Sequence, residues 1–339
     1  MYPMLREDVT LRKTKNRNSG KIHYYVENRF EDEFEISRRL YHALLEADGT
    51  KPLSLPDNGK KIIPRLKKEK IVRTSRFTHL GGALFGFILF PIGNNVRKNR
   101  WIFRLLNAVL PIASLLFFIV GVSVKLFCNT NGCHTDNTAF ISWLYYLLCY
   151  FSILLHEIGH MNAGIAYGYR VCSVGLLFIG ILPLGAYVSY NQSMNYNKHL
   201  TPKEKIQFSL SGIESNLLMA GILLLASVWD GYLSETFIMC ANINVLFAIL
   251  NSLPAMGLDG EKALSAFLDV DNIFFTALEW MLYKTRRKKL FSYGILGYAC
   301  SCFFCSILIT QVLVTLLIIS DYIYFIYSIF TFNFSFLGG

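Results

Sequence analysis

Five long apolar runs decide the fold class of this 339-residue chain. They are residues 105–124, 138–158, 206–228, 236–254 and 291–319, and each approaches or exceeds the roughly 20 residues that a helix needs to cross a bilayer. Because unpaired backbone polar groups are costly in hydrocarbon, each run is predicted to be helical. The pattern excludes a wholly soluble enzyme, a disordered chain and a disulfide-stapled secreted domain.

Charge divides the chain into two parts. The first 76 residues hold 18 Lys and Arg and 11 Asp and Glu, whereas all the later residues together hold only 15 and 12. Residues 1–76 are therefore predicted to form a soluble domain ahead of the membrane part. The net charge of +10 lies beside apolar segments and lacks the aromatic-interleaved motifs of nucleic-acid modules. This distribution favours membrane lipid as a partner and excludes nucleic acid.

The basic residues also predict which side of the membrane each segment faces. Clusters of basic residues lie at or just before the first, third and last runs. They are Arg97, Lys98, Arg100 and Arg104 for the first run, Lys198, Lys203 and Lys205 for the third, and Lys284, Arg286, Arg287, Lys288 and Lys289 for the last. The opposite loops, 125–137 and 230–235, carry one Lys and three acidic residues. Residues 1–20 contain no secretory signal peptide. We therefore expect an integral protein of a bacterial cytoplasmic membrane, with its N-terminus in the cytosol.

Two further apolar stretches are too interrupted to be simple spans. Residues 77–93 contain four Gly and Pro91 and have basic residues on both sides, so residues 77–100 are predicted to be an interfacial or re-entrant linker. Residues 171–190 also contain several Gly and a Pro and join two cytosolic points. Because such backbone must be shielded from lipid, a hairpin dipping into protein is predicted there.

The remaining boundaries follow from the apolar runs. Residues 101–290 are predicted to form the membrane core. The tail, residues 291–339, forms either one long span followed by an aromatic interfacial piece or two spans, and both alternatives remain open. The predicted fold is thus a polytopic α-helical membrane protein of about five or six spans, with a small N-terminal α+β cytosolic domain.

The second run ends in the residues that carry the chemistry, His156-Glu157-Ile158-Gly159-His160. Residues four apart lie on one face of a helix, so both imidazoles can bind one metal ion while Glu157 lies beside its open position. In this H-E-x-x-H arrangement the Glu takes a proton from a zinc-bound water. The 17 residues before His156 carry no charge, and ionisable groups at membrane depth are rare unless they are paired or bind something.

A zinc hydrolase normally has three protein ligands and one water, so a third ligand is needed. The best candidate is Asp259, in the segment Asn251-Ser252-Leu253-Pro254-Ala255-Met256-Gly257-Leu258-Asp259-Gly260 that follows the fourth run. This Asp is expected on the same side of the membrane as His160. Taken alone it would be an ordinary Asp of a Pro/Gly turn.

These residues resemble the site-2 protease family, polytopic zinc metalloproteases that cleave peptide bonds within or near the membrane. The resemblance covers about residues 100 to 290 and implies that His156, His160 and Asp259 bind one Zn²⁺, that Glu157 is catalytic and that Asn251 positions the substrate. In many members the third core helix carries Gly-Pro followed by Asn. Here that stretch reads Ser211-Gly212-Ile213-Glu214-Ser215-Asn216, without the Pro, and neither Glu214 nor Asn216 is assigned a role.

Residues 1–76 are predicted to form a small α+β module of winged-helix character. Residues 9–13 and 21–27 are predicted strands, and an apolar face from Ile36 to Ala47 predicts a helix that ends at Gly49. The segments Tyr24-Tyr25-Val26 and Phe34-Glu35-Ile36-Ser37, followed by that helix, resemble the peptide-chaperone domain of ribosomal-peptide maturation systems. The resemblance implies that a leader peptide binds as an added strand at an open sheet edge.

Three functions remain open. The first is maturation of a ribosomally made peptide whose leader is recognised by residues 1–76. The second is regulated cleavage of a membrane-anchored regulator or a signal-peptide remnant. The third is a non-enzymatic export or immunity accessory with a structural zinc. The partners are a peptide or membrane-protein substrate and, for the first function, peptide-modification or export proteins; no oligomeric state is predicted.

Two cysteines of the loop opposite the cytosol also remain open. Cys128 and Cys133 flank Asn-Thr-Asn-Gly, with His134 beside them. A local disulfide, free thiols and a second metal site are the three alternatives.

Overall fold

The fold is described from a computed structural model of the whole chain. The structure describes residues 2–320 except 7, 16–19, 29, 31, 54, 56–58, 82–83, 94–95, 97–98, 128–137, 180–181, 191–199, 230–232, 271, 283–301, 304, 314–315 and 317–319. The predictions for Cys128 and Cys133, for the basic run 284–289 and for the tail beyond residue 320 therefore lie outside the described residues. Most of the fifth apolar run does too, although residues 305–313 are helical.

The contacts within the chain define two compact units. One consists of Met1–Leu200 and Glu214–Val245, and the other of Thr201–Ile213 and Leu246–Gly339.

The first unit begins with the predicted α+β module. It contains β1 (Met4–Leu5), β2 (Thr10–Lys15), β3 (Ile22–Glu27), β4 (Glu33–Ile36), α1 (Arg38–Leu45), α2 (Gly59–Lys68) and β5 (Val72–Arg73). Strands β2, β3 and β4 form an antiparallel sheet in that order, and β1 pairs with β5. Leu5, Val9, Val26 and Leu44 are buried in its core. The two predicted strands and the helix are confirmed, with ends shifted by a few residues.

The helix α1 begins where the sequence supplies an N-cap. The Ser37 hydroxyl accepts a hydrogen bond from the Leu40 amide, which satisfies one of the free N–H groups at the helix start. The helix ends at Leu45, and Gly49 follows with φ +79°, a conformation that favours glycine.

A four-stranded antiparallel sheet follows the module. Its strands are β6 (Phe77–Gly81), β7 (Leu84–Pro91), β8 (Val171–Ile179) and β9 (Leu182–Tyr190), hydrogen-bonded in the order β6-β7-β8-β9. The hairpin predicted at 171–190 is confirmed. The stretch 77–93, expected as an interfacial or re-entrant piece, is a second hairpin that pairs with the first through β7 and β8. Gly175 lies where the sheet has no space for a side chain, since a Cβ there would be 2.5 Å from the Phe87 carbonyl oxygen.

Four helices of the described chain are long and largely apolar. They are α3 (Arg100–Phe127), α4 (Thr138–Tyr167), α5 (Pro202–Trp229) and α6 (Ser234–Ser252). Within the described residues, α3, α5 and α6 are long and apolar enough to cross a membrane. The helix α4 contains the predicted run 138–158, but the side chains of residues 138–143 lie outside the description. The count of five or six spans therefore stays a prediction.

The second unit contains the start of α5, the end of α6, two shorter named helices and the helical residues 305–313. The two shorter named helices are α7 (Asp259–Phe267) and α8 (Ile273–Leu282). Ile273, Ala277 and Ile307 form a small buried cluster against which Leu264 packs. This cluster holds α7, and with it Asp259, in place.

Candidate metal centre

The two histidines of the H-E-x-x-H motif lie on one face of α4. Their Nε2 atoms are 3.2 Å apart, and both side chains are buried, with 9% of His156 and 7% of His160 exposed. A tetrahedral zinc ion with Zn–N bonds near 2.0–2.1 Å would hold two imidazole nitrogens about 3.3 Å apart. The pair therefore already has the spacing of two ligands of one ion.

The helix that carries the motif is held at both ends of the site. At its C-terminal end the Ala166 carbonyl oxygen accepts hydrogen bonds from Nε of Arg100 (2.8 Å) and of Arg104 (3.5 Å). Cationic donors at a helix C-terminus satisfy free carbonyls and complement the helix dipole. One turn before His156, the fully buried Ser152 accepts a hydrogen bond from Asn244 of α6 at 2.9 Å. These contacts fix the rotation of α4 about its axis.

Glu157 follows the first histidine and is half-buried. One residue corresponds to about 100° of rotation around a helix, so its carboxylate stands beside the histidine face and not on it. A carboxylate in this position is placed to exchange a proton with a molecule bound at the metal.

Asp259 is the first residue of α7 and is buried, with 3% of its surface exposed. Its Oδ1 accepts a hydrogen bond from Lys262 Nζ at 3.1 Å, one turn further along the helix. A carboxylate at a helix N-terminus is favoured by the helix dipole. Gly260 beside it allows a close approach, since a Cβ there would be 2.2 Å from the Ser252 carbonyl oxygen.

The three predicted ligands form a group of described residues that could hold a metal ion. One ligand atom from each of His156, His160 and Asp259 lies within 4.8 Å of the others, and all three residues are buried. Two imidazoles and one carboxylate are the donor set of hydrolytic zinc sites, which leave one position for water. The residues present therefore fit a single Zn²⁺.

Asn216 of α5 is the site residue that the sequence left without a role. Its Nδ2 atom lies 3.0 Å from His156 Nδ1, and only 1% of the residue is exposed. One sequence feature could have indicated a role for Asn216: it lies four residues after Gly212 in an apolar helix, which keeps part of the spacing seen in the resembled family. Without the Pro, that spacing did not identify the contact.

Asn251, the predicted substrate-positioning residue, lies in the last turn of α6. Its Nδ2 donates to the Phe247 carbonyl oxygen at 3.0 Å, within its own helix. The structure therefore shows the amide oriented along α6, and its role toward a substrate stays a prediction.

Residues 144–231 match the family model described as peptidase family M50. The matched range includes the H-E-x-x-H motif and Asn216 but ends before Asn251 and Asp259. No curated protein and no solved structure matches the chain. Family M50, the site-2 protease family, consists of membrane-embedded zinc metalloproteases, and the match supports a membrane metalloprotease.

Proposed function

We propose that the protein is a membrane-embedded zinc endopeptidase that cleaves its substrate near the cytosolic leaflet. The observation that carries this proposal is the convergence of two buried imidazoles and one buried carboxylate, with Glu157 adjacent in the sequence. This is the arrangement of hydrolytic zinc sites. The match to peptidase family M50 over residues 144–231 supports the same chemistry.

In this reaction each residue has a defined task. His156, His160 and Asp259 would hold the ion, which when bound polarises the scissile carbonyl and lowers the pKa of a water molecule to about 7. Glu157 takes the proton from the attacking water and delivers it to the leaving amine, so one carboxylate serves first as base and then as acid. Burial of the ligands excludes bulk water from the site and strengthens these interactions.

The sheet offers a place for the substrate beside the metal helix. β9 is the last strand in the order β6-β7-β8-β9, so its second edge is not paired with a strand of that sheet. A Cβ on Gly185 of β9 would lie 3.8 Å from Cγ2 of Ile153, which precedes His156 by less than one turn of α4. A helical substrate hides its peptide bonds, whereas a segment added to β9 as a strand would expose them.

For the substrate itself, we infer maturation of a ribosomally made peptide recognised by the N-terminal module. β2 and β4 are the edges of the module's sheet, and β4 leads directly into α1. A shallow pocket of about 410 Å³ on α1 is lined by Arg38, Arg39 and His42, together with Glu46. This combination of a strand edge and basic side chains favours an extended peptide that carries acidic residues.

Regulated intramembrane proteolysis is the second candidate, and the match to family M50 favours it. Both candidate functions use the same catalytic residues. They differ in whether the N-terminal module binds the substrate. Charge reversal of Arg38 and Arg39 to Glu separates them, because both side chains are exposed and the helix core is unchanged. Leader-dependent cleavage should fall at least 10-fold, whereas cleavage of a purely transmembrane substrate should be unchanged.

Glu157→Gln tests the proposed chemistry. The amide cannot accept the proton from water, so the variant should keep its zinc and lose turnover. Zinc is measured by elemental analysis of the purified full-length protein, and turnover by mass spectrometry of new peptide N-termini in cells that express either form. Glu235→Gln, an exposed glutamate at the start of α6, is the matched control and should behave as wild type. Identical N-termini in wild-type and Glu157→Gln cells would instead support an export or immunity accessory.

A further inference from the structure

We propose that Asn216 is a positioning residue of the metal centre, which accepts a hydrogen bond from His156 Nδ1–H and so directs the Nε2 lone pair of that ring to the metal. The inference rests on the proposed zinc site and deepens it. It assigns a task to a buried polar residue of α5 that the predicted reaction does not use.

The geometry places His156 between two partners. One ring nitrogen, Nδ1, lies 3.0 Å from the Asn216 amide, and the other, Nε2, lies 3.2 Å from His160 Nε2. A neutral imidazole carries one N–H and one lone pair, and the group that faces Nδ1 decides which nitrogen carries the proton. Asn216 therefore controls whether Nε2 of His156 is able to bind a metal.

An amide side chain can serve this purpose because its two ends differ. With the amide nitrogen toward the ring, the His156 proton must be on Nε2. A rotation of the amide by 180° exchanges its oxygen and nitrogen with little change in shape. With Oδ1 toward the ring, the proton is on Nδ1 and Nε2 has its lone pair free for the ion. Among the described residues, Oδ1 of Asn216 is buried and has no other hydrogen-bond partner.

The surroundings make this contact hard to replace. Asn216 is almost fully buried, so water has little access to either atom of the pair. Met219 and Leu223, one and two turns further along α5, belong to a core cluster against which Leu155 of α4 packs. This packing fixes the distance between the two helices. Histidine ligands of zinc sites generally donate their second N–H to such a partner, which fixes the tautomer and the plane of the ring.

Two substitutions separate hydrogen bonding from packing, because the two roles predict opposite results. Leu has nearly the shape of Asn and no polar atom, so a packing role is preserved in Asn216→Leu and the hydrogen bond is lost. Asp keeps an acceptor oxygen toward Nδ1–H, so Asn216→Asp preserves the positioning role. It also adds a buried charge, so a residue needed only for packing would be disturbed by this substitution.

The measurement is zinc affinity of the full-length protein, obtained by titration against a chromophoric chelator. We expect Asn216→Leu to bind zinc 10- to 100-fold more weakly than wild type, in line with the loss of other outer partners of zinc ligands. Asn216→Asp should stay within about threefold of wild type or bind more tightly. Asn162→Leu is the matched control, because Asn162 is also buried, on α4, but lines an apolar cavity shared with α3 and α5; the zinc affinity of this variant should be unchanged.

Two outcomes would overturn the inference: wild-type affinity in Asn216→Leu, or an equal loss in both variants. Asn216→Ala, which also removes the acceptor, replaces Asn216→Leu if the larger side chain prevents folding. The test is independent of cleavage. Wild-type protein that binds zinc but shows no Glu157-dependent cleavage contradicts the proposed protease and leaves the role of Asn216 intact. Wild-type protein that binds no zinc contradicts both.

Discussion

At the scale of single residues, the metal centre depends on a glycine beside a ligand. A Cβ on Gly260 would lie 2.2 Å from the Ser252 carbonyl oxygen and 2.6 Å from that of Leu253. Both contacts are to backbone, which cannot move aside as a flexible side chain can. Any side chain at this position must therefore displace the start of α7, where Asp259 lies.

Gly260→Ala should accordingly weaken zinc binding without touching a ligand. We expect a loss of at least 10-fold in affinity, because zinc ligands must hold their distances to within about 0.2 Å. Chelator competition on the full-length protein measures it. Gly20→Ala also strains the backbone, at φ +67°, but at a position shortly before β3 where a Cβ would meet nothing within 4 Å. That control should keep wild-type affinity, and an unchanged affinity in Gly260→Ala would contradict the steric argument.

The sequence identifies candidate ligands more readily than the residues that support them. His156 and His160 are recognisable because a fixed spacing on one helix is enough to place both rings on the same face. Asp259 required a longer argument, since about a hundred residues separate it from the histidines: it was chosen because it follows the fourth apolar run and is expected on the same side of the membrane as His160. Asn216 could not be assigned, because its contact with His156 depends on the rotation of α5 against α4. Side-chain packing between two helices sets that rotation, and no local pattern encodes it.

At the scale of the elements, α3 and α5 cross at a pair of glycines. A Cβ on Gly121 would lie 2.8 Å from the Gly221 carbonyl oxygen, and a Cβ on Gly221 would lie 2.4 Å from the Phe117 carbonyl carbon. Small residues at a crossing allow membrane helices to approach closely, and van der Waals packing is the main attraction between such helices. The pair therefore sets the distance between α3 and α5.

Gly221→Ala should destabilise the protein by about 1–3 kcal/mol, the usual cost of adding a methyl group to a well-packed contact. Thermal unfolding of the detergent-solubilised protein should show a lower Tm. The neighbouring Ile222→Ala tests a side chain that is 43% exposed, and its Tm should change much less. A Tm of Gly221→Ala equal to that of wild type would contradict this prediction, because it would show that α3 and α5 can move apart without loss of stability.

The sequence did not indicate elements whose pairing is long-range or that contain proline. β7 is a nearly continuous apolar stretch without alternation, and its partner β8 comes about eighty residues later, so no local pattern indicated a strand. The helix α2 carries Pro64 inside it, which argues against a helix by propensity. The long helices were predicted because hydropathy over about 20 residues is a local signal.

At the scale of the whole molecule, the N-terminal module is joined to the four-stranded sheet by buried contacts. Met4 of β1 packs with Ile88 of β7 and Cys172 of β8. Arg170, between α4 and β8, is buried and donates from Nη2 to the Leu45 carbonyl oxygen at the end of α1, at 2.5 Å. Burial lowers the pKa of the Arg170 guanidinium, and the nearby Cys172 and Asp48 partly oppose this shift. The sequence suggested separate parts here, because contacts between distant segments leave no periodic pattern.

Arg170→Met should loosen this junction while leaving the metal ligands in place. Met keeps much of the length of the side chain but cannot donate to Leu45, and Asp48 loses the cation beside it. Breaking a buried charged contact costs about 3–5 kcal/mol, so hydrogen exchange in β1 and α1 should accelerate. Arg65→Met, an exposed arginine of α2, is the control.

Zinc affinity distinguishes a local effect from general unfolding. We expect Arg170→Met to bind zinc within about threefold of wild type, since the hydrogen bond that the substitution removes is made to Leu45 of the module. Cleavage that depends on the module should fall because a peptide bound there would no longer be held in a fixed position relative to β9. Unchanged exchange in β1 and α1 would contradict a role of the Arg170 hydrogen bond in holding the module on the sheet.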